Sequence, residues 1–317
     1  MAASTEHASA AAVTHLTWVV GAGGLLGSHL VRALPGRGLL FEASPIPWGA
    51  GAEAVLADNA TRLLHQARER GTPWRVLWCA GSGVTGATRY QLDPELRALE
   101  ATLEALRGAE GGSVFLASSV GGIYAGNPAP PFDEFSDPQP LAEYGWAKLE
   151  AEQMAARWSA ETGAPVLLGR ITNLFGPGQD LAKPQGLISQ ICLNHVTRRP
   201  SSIWVNLDTL RDYVFVPDCA DLILDAMDRL DVEGGVVVKL LGSGEPRSIS
   251  AVLGEIRKVV GRKPDVLIGT SPNARFQVRD LSVRSVVWPD LDHRPMTPFG
   301  VGVAQTLAEM VTKVQNG

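Results

Sequence analysis

Short apolar runs alternate with longer amphipathic stretches over the first half of the chain. Leu16-Thr17-Trp18-Val19-Val20, Leu39-Leu40-Phe41, Arg75–Ala80, Ser113–Ala117 and Val166–Arg170 are rich in large apolar side chains and too short for helices, which predicts buried strands. Between them, Ser28–Leu34, Ala60 to about Arg70, Pro94–Leu106 and Leu141–Ala160 read as helices. Pro35-Gly36-Arg37-Gly38 stops the first helix, and a proline-rich loop from Asn127 to Pro140 precedes the last. Val55-Leu56-Ala57 reads as a stunted third strand with Asp58-Asn59 at its end. Strands alternating with helices at this interval predict an α/β fold built on a doubly wound parallel sheet.

After Gly178 the rhythm changes. A helix (Gly186–Val196), a strand (Ile203–Val205), a helix (Cys219–Leu230), a strand (Val236–Leu240) and a helix (Ile249–Val260) follow, and a proline-punctuated tail closes with a helix, Val301–Val314. A chain of 317 residues suits one large α/β domain with a smaller appended lobe.

Composition narrows the function classes. Apolar residues make up 45% and charged residues 19%, enough for a sizeable core. The net charge of −5 provides no basic field for nucleic acid, so an anionic ligand must be met by a few local arginines. Cys79, Cys192 and Cys219 are scattered with no metal spacing, which predicts reduced thiols, no metal and a cytoplasmic setting. No apolar run reaches the roughly 18 residues of a membrane span. Residues 1–12 lack the basic start and apolar stretch of a signal peptide and are expected to be a disordered tail.

Gly21, Gly24 and Gly27 recur at intervals of three between the first predicted strand and its helix. Such a turn brings backbone N–H groups and a helix N-terminus against a pyrophosphate, and a Cβ would block the approach. The reading is a dinucleotide site. Glu42 ends the second strand, where a carboxylate accepts hydrogen bonds from ribose hydroxyls and repels a 2′-phosphate. NAD is therefore expected, with NADP kept open by Arg37 close by in sequence.

Tyr144 and Lys148 lie four residues apart near a helix start, on one face. A cation beside a phenol favours the phenolate, so this pair suits the proton transfer that accompanies hydride transfer. Ser118 and Ser119 end the preceding strand, on the sheet edge where ligands of open α/β sheets bind. Three elements thus converge on one place.

Together, Gly21-x-x-Gly24-x-x-Gly27, Ala80-Gly81, Ser118-Ser119 and Tyr144-x-x-x-Lys148 resemble the extended short-chain dehydrogenase/reductases. The 25 residues from Ser119 to Tyr144 are similar to the interval in the nucleotide-sugar epimerases of that group. The resemblance implies a Rossmann-type sheet over residues 13–180 and a smaller C-terminal α/β substrate-binding lobe over 181–317, with residues 211–230 returning to the core. It implies Ser119, Tyr144 and Lys148 as catalytic residues, with Ser118 as second choice for the serine. Gly21, Gly24, Leu25, Leu26, Gly27, Glu42, Asp58, Ala80, Gly81, Thr172, Tyr144 and Lys148 would meet the cofactor. The stretches Arg170–Gly178 and Arg211–Asp218 are similar to the family's substrate segments, which implies that Asn173 hydrogen-bonds the substrate and Arg211 its diphosphate. Arg275 would add a second contact to the diphosphate, and Tyr124 would line the sugar pocket. A guanidinium fork is the group best suited to a diphosphate. Ala98, Trp78 and Leu210 depart from the family pattern, which leaves the sugar open. The expected activity is epimerisation of a nucleotide sugar through a keto sugar, with a keto-sugar reductase as the alternative and a non-catalytic dinucleotide-binding protein third. A homodimer through the helix Leu141–Ala160 is expected from the family.

Overall fold

The structure, a computed structural model, describes residues 14–81, 83–84, 86–181, 186–269 and 278–316. The expected tail, residues 1–12, and Arg275 lie outside the described residues. β1 (Leu16–Val20) is entirely buried and leads through the glycine turn into α1 (Leu25–Ala33). β2 (Leu39–Leu40) is short and exposed at the sheet edge, and a loop over residues 41–51 leads from it to α2 (Ala52–Arg70).

Here the structure corrects the sequence reading. Val55-Leu56-Ala57 is helical, and the stunted third strand does not exist. The reason lies in the spacing: Ala52, Leu56, Asn59, Ala60, Leu63 and Ala67 form one buried helical stripe, and Gly51 starts the helix in the left-handed region. Asp58 therefore stands exposed within a helix rather than at a strand end, which removes the basis for its adenine contact.

β3 (Trp74–Trp78) is buried throughout, and α3 (Arg89–Ala105) is held at its start by reciprocal capping between Thr88 and Gln91. β4 (Gly112–Ser119) runs into a single turn, α4 (Val120–Ile123), and then through the proline-rich loop to α5 (Glu143–Thr162). β5 (Val166–Ile171) completes this half. β6 (Asn173–Phe175), α6 (Leu187–Val196), β7 (Ser201–Ile203), β8 (Leu210–Phe215), α7 (Val216–Glu233) and β9 (Val236–Leu241) come next. The chain ends with β10 (Pro246–Ser248), α8 (Ile249–Val260), β11 (Val266–Ile268), β12 (Asp280–Leu281), α9 (Pro289–Asp292) and α10 (Phe299–Asn316).

The main sheet has the order β2-β1-β3-β4-β5-β9 and is parallel throughout. This is the α/β, Rossmann-type doubly wound arrangement: the order reverses after β1, between β1 and β3, and a crevice opens there. Two apolar layers cover the sheet. One joins Trp18, Trp74, Trp78 and Leu99 to α2, α3 and α5; the other joins Leu30, Phe115, Leu167 and Ile223 to α1 and α7. A smaller sheet, in which β8 pairs with β6, β10 and β12, sits with α6, α8 and α10 around a third apolar cluster of Phe175, Ile191, Tyr213 and Val303.

Charges fasten α7 to the strand bases. Arg37 pairs with Asp225, and buried Arg75 with Asp228 and Asp231. Arg37 is thus committed to α7, which removes it as the group that would keep a 2′-phosphate open.

Candidate active site

The C-terminal ends of the central strands open onto a cleft of about 1040 Å³. Its floor is the glycine turn. Gly21 has φ +89°, and a Cβ there would come within 2.8 Å of the Ala80 amide nitrogen, so the turn packs on the end of β3. A Cβ on Gly27 would land on the Gly21 carbonyl. Gly24 is the N-cap of α1 and supplies no capping side chain, and no acidic residue stands in the first helical turn. The amides at this helix start are left for an anionic ligand, and Leu25 and Leu26 line the cleft beside them. These features fit a dinucleotide pyrophosphate.

Ser119, Tyr144 and Lys148 all line this cleft. Ser119 caps α4, its hydroxyl accepting from the Gly122 N–H at 3.1 Å. Tyr144, in the first turn of α5, sits between two glycines: a Cβ on Gly122 would come within 3.1 Å of its ring, and one on Gly83 within 3.2 Å. Gly145 beside it packs on the Gly122 carbonyl. Lys148 lies one turn further on, its ammonium 5.8 Å from the Tyr144 ring centroid and donating to the Ala117 carbonyl at 3.3 Å. The tyrosine, the lysine and the serine are therefore brought together as the sequence expected.

Ala80 and Gly81 form the wall facing the glycine turn. A Cβ on Gly81 would meet both the Glu95 carboxylate, at 3.2 Å, and the Lys148 ammonium, at 3.5 Å. Glu95 also accepts from the Gly83 N–H at 2.9 Å and so steadies the loop over the tyrosine. Glu42 is exposed two residues beyond the end of β2 and is not among the residues lining the cleft. Arg62 of α2 donates to the Glu42 carbonyl and to the Ser44 hydroxyl, a neighbour that the sequence spacing did not show.

On the opposite wall, Thr172, Asn173 and Arg211 line the cleft. The buried Asp212 carboxylate accepts from the Thr172 hydroxyl at 2.8 Å, and its backbone carbonyl accepts from the Asn173 amide at 2.9 Å. Asp212 is thereby occupied with Thr172 and Ser243, and Asp218 with Thr297. Arg211 is 6% exposed and donates to the Leu210 carbonyl; burial makes its guanidinium hold its proton less firmly than usual. Trp204, half exposed, also faces the cleft, and Gly269 makes room for its indole.

Two expected contacts are corrected. Tyr124 is completely buried; its hydroxyl donates to the Asp133 carbonyl and accepts from Arg170, and its ring stacks on Phe132. It is a core residue and does not line a sugar pocket. The Ser118 hydroxyl is turned to the buried Glu152 carboxylate at 2.5 Å, which commits it away from a reacting oxygen. Cys79 also lines the cleft, and burial pushes its thiol well up despite the pull of Lys148, which disfavours the thiolate.

The parallel sheet, its glycine turn and the edge cleft define a dinucleotide-binding α/β protein of the short-chain dehydrogenase/reductase kind. The chain belongs to the NAD dependent epimerase/dehydratase family, whose profile matches residues 17–238, and it thus uses NAD. It is 26% identical over 168 residues to the uncharacterized UDP-glucose epimerase YtcB of Bacillus subtilis, covering 53% of this chain and 51% of the relative. It is 29% identical over 151 residues to a dTDP-4-dehydro-6-deoxyglucose reductase of Escherichia coli, covering 47% and 46%. These alignments span about half the length of those relatives or less. Among solved structures, MoeE5 in complex with UDP-glucose and NAD superposes with a TM-score of 0.75 at 25% identity, over 95% of this chain and all of that one.

Proposed function

We propose that this chain is an NAD-dependent nucleotide-sugar epimerase. The observation that carries the reading is the Tyr144 ring held between Gly83 and Gly122, in the same cleft as Ser119, Lys148 and the glycine turn. Bound NAD supplies the hydride acceptor and donor. Tyr144 takes the proton of a sugar hydroxyl and returns it, Ser119 hydrogen-bonds the reacting oxygen, and the Lys148 ammonium, one helical turn from the phenol, holds the nicotinamide ribose. The keto sugar turns over between the two transfers and is reduced on its other face.

Arg211 holds the diphosphate, Asn173 hydrogen-bonds the substrate, and the exposed face of Trp204 supports the nucleobase. The β8 sheet with α6, α8 and α10 is the substrate lobe, and α7 is the segment that returns to the dinucleotide core. Pairing of two copies through α3 and α5 is supported by exposed Tyr90 and Trp146 on those helices. Three free thiols support a reducing compartment, the cytoplasm.

A ketoreductase is the second reading, favoured by the E. coli reductase relative. The dehydratase reading is weaker, because Val120-Gly121-Gly122 follow Ser119 and bring no further acid or base.

The test is to purify the protein, extract its cofactor, and incubate it with a panel of nucleotide sugars followed by NMR. Co-purified NAD with interconversion of two stereoisomers is the expected result. An empty protein that consumes added reduced cofactor stoichiometrically overturns the epimerase reading.

A further inference from the structure

We propose that Glu152 is a positioning residue whose carboxylate fixes how deeply α5 docks on β4 and β5, and so where Tyr144 stands relative to Ser119. The proposal rests on the reading of that pair as the redox centre.

Tyr144, Lys148 and Glu152 are spaced by four and share one face of α5. The first two reach the cleft, and the third goes underneath it. Glu152 is 3% exposed, and Arg170 and Ser118 beside it are as thoroughly buried. Its Oε1 accepts from the Ser118 hydroxyl at 2.5 Å and from Arg170 Nε at 3.0 Å; its Oε2 accepts from Arg170 Nη2 at 2.7 Å. Ser118 and Arg170 are partners in register across β4 and β5. One carboxylate from the helix therefore grips both strands at a single level, one residue before Ser119. Arg170 is fixed in turn by the Tyr124 hydroxyl, which is anchored on the Asp133 carbonyl.

Elsewhere the docking adds a hydrogen bond from Lys148 to β4 but, among the described residues, no second grip on both strands at one level. At the helix start, Gly145 lies on the Gly122 carbonyl and the Tyr144 ring lies on Gly122, contacts between surfaces without directional bonds. Further along, Lys148 donates to the Ala117 carbonyl. Apolar packing alone would dock this helix without the cost of burying charges, and a buried ion pair gives little advantage in stability over apolar replacements. A fully hydrogen-bonded carboxylate does give one geometry rather than several. A shift of about 1 Å at reacting groups costs roughly a hundredfold in rate, so the register has a catalytic consequence.

The experiment uses the whole protein labelled with 3-fluorotyrosine. There are four tyrosines, and the Tyr144 fluorine signal is assigned by Tyr144→Phe. In Glu152→Asp, which keeps the charge but withdraws it by one methylene, the Tyr144 signal moves or broadens while that of exposed Tyr90 stays. In the same variant kcat falls roughly tenfold to a hundredfold, with KM within about threefold. A Tyr144 signal at the wild-type position in folded Glu152→Asp overturns the proposal, as does a kcat loss no larger than the loss of folded protein. If Glu152→Asp does not fold, Ser118→Ala, which leaves the ion pair in place, is expected to move the same signal and lower kcat about threefold to tenfold. No change in either measurement overturns the proposal. The fluorine signal needs no substrate, so a wild-type protein that turns over no nucleotide sugar would sink the proposed function and leave this test standing.

Discussion

The Tyr144 ring lies against Gly122 so closely that a Cβ on that glycine would come within 3.1 Å of the ring carbon Cε1. Gly122 also donates its N–H to the Ser119 hydroxyl. One glycine thus touches one edge of the phenol ring and orients the serine, and with Gly83 at the opposite edge it leaves the ring a slot of fixed width.

Gly122→Ala is expected to push the ring out of this slot. The neighbouring backbone of Gly145 lies 3.4 Å from the same added atom, so the helix has little room to yield. Overpacking of this kind costs about 1–3 kcal/mol. The loss in kcat should reach roughly tenfold to a hundredfold because the phenol is misplaced. Thermal denaturation and steady-state kinetics on the same preparation check both figures; a destabilised protein with full kcat would show that the slot does not set the ring.

Tyr144→Phe removes the transferable proton and leaves the ring's contacts with both glycines. Its kcat should fall about 10²–10⁴-fold, the usual size of a lost acid/base group. Co-purified NAD should stay near wild-type content, since the glycine turn is untouched. Extraction of the cofactor together with turnover on the best nucleotide sugar separates a chemical role from a binding one. Undiminished turnover would remove the phenol from the reaction.

Arg211→Lys keeps a positive charge but loses the planar fork. Fork-to-oxyanion pairing relies on two parallel hydrogen bonds, and a lysine supplies a point charge. KM for a nucleoside diphosphate sugar should rise about tenfold or more, in keeping with a charge-assisted hydrogen bond of ~1.5–3 kcal/mol, while kcat changes little. Equal falls in kcat and kcat/KM would place the arginine in the transition state instead.

Much of this was legible in the sequence because local patterns decide it. The glycine turn, the serine pair at a strand end and the tyrosine and lysine one helical turn apart each follow from a few adjacent residues. What was hidden depends on tertiary company. Val55-Leu56-Ala57 has a strand-like composition, but its burial is set by a stripe reaching back to Ala52 and on to Ala67. Tyr124 and Ser118 lie beside the catalytic segment in sequence, yet Arg170 and Glu152, 46 and 34 residues away, draw them into the core. Nothing local marks Gly83 as part of the tyrosine slot, Trp204 as a cleft residue or Arg62 as the neighbour of Glu42, because each arrives from a different element. Asp212 stood in a recognised stretch, but its bonds to Thr172 and Ser243 join three separate segments.

His29 gives a prediction about acid stability. It lies in α1, 8% exposed, with Nε2 at 2.9 Å from the Pro177 carbonyl and 3.1 Å from Arg32 Nη1, a cationic neighbour that favours the neutral ring. Burial lowers its pKa from 6.5, and the Arg32 charge adds to this, against the Pro177 carbonyl and Glu309, which raise it. The folded state thus binds the proton less readily than the unfolded chain, whose histidine keeps its ordinary value. Stability from this group is complete above about pH 6.5 and is lost as pH falls toward the lowered folded value, because protonation favours the unfolded chain. His29→Gln, which keeps an N–H for the Pro177 carbonyl but does not titrate, should lower stability somewhat at pH 7.5 and flatten its decline between pH 7 and 5. Chemical denaturation at several pH values measures the two slopes. Parallel slopes for wild type and variant would show that the acid sensitivity comes from other groups.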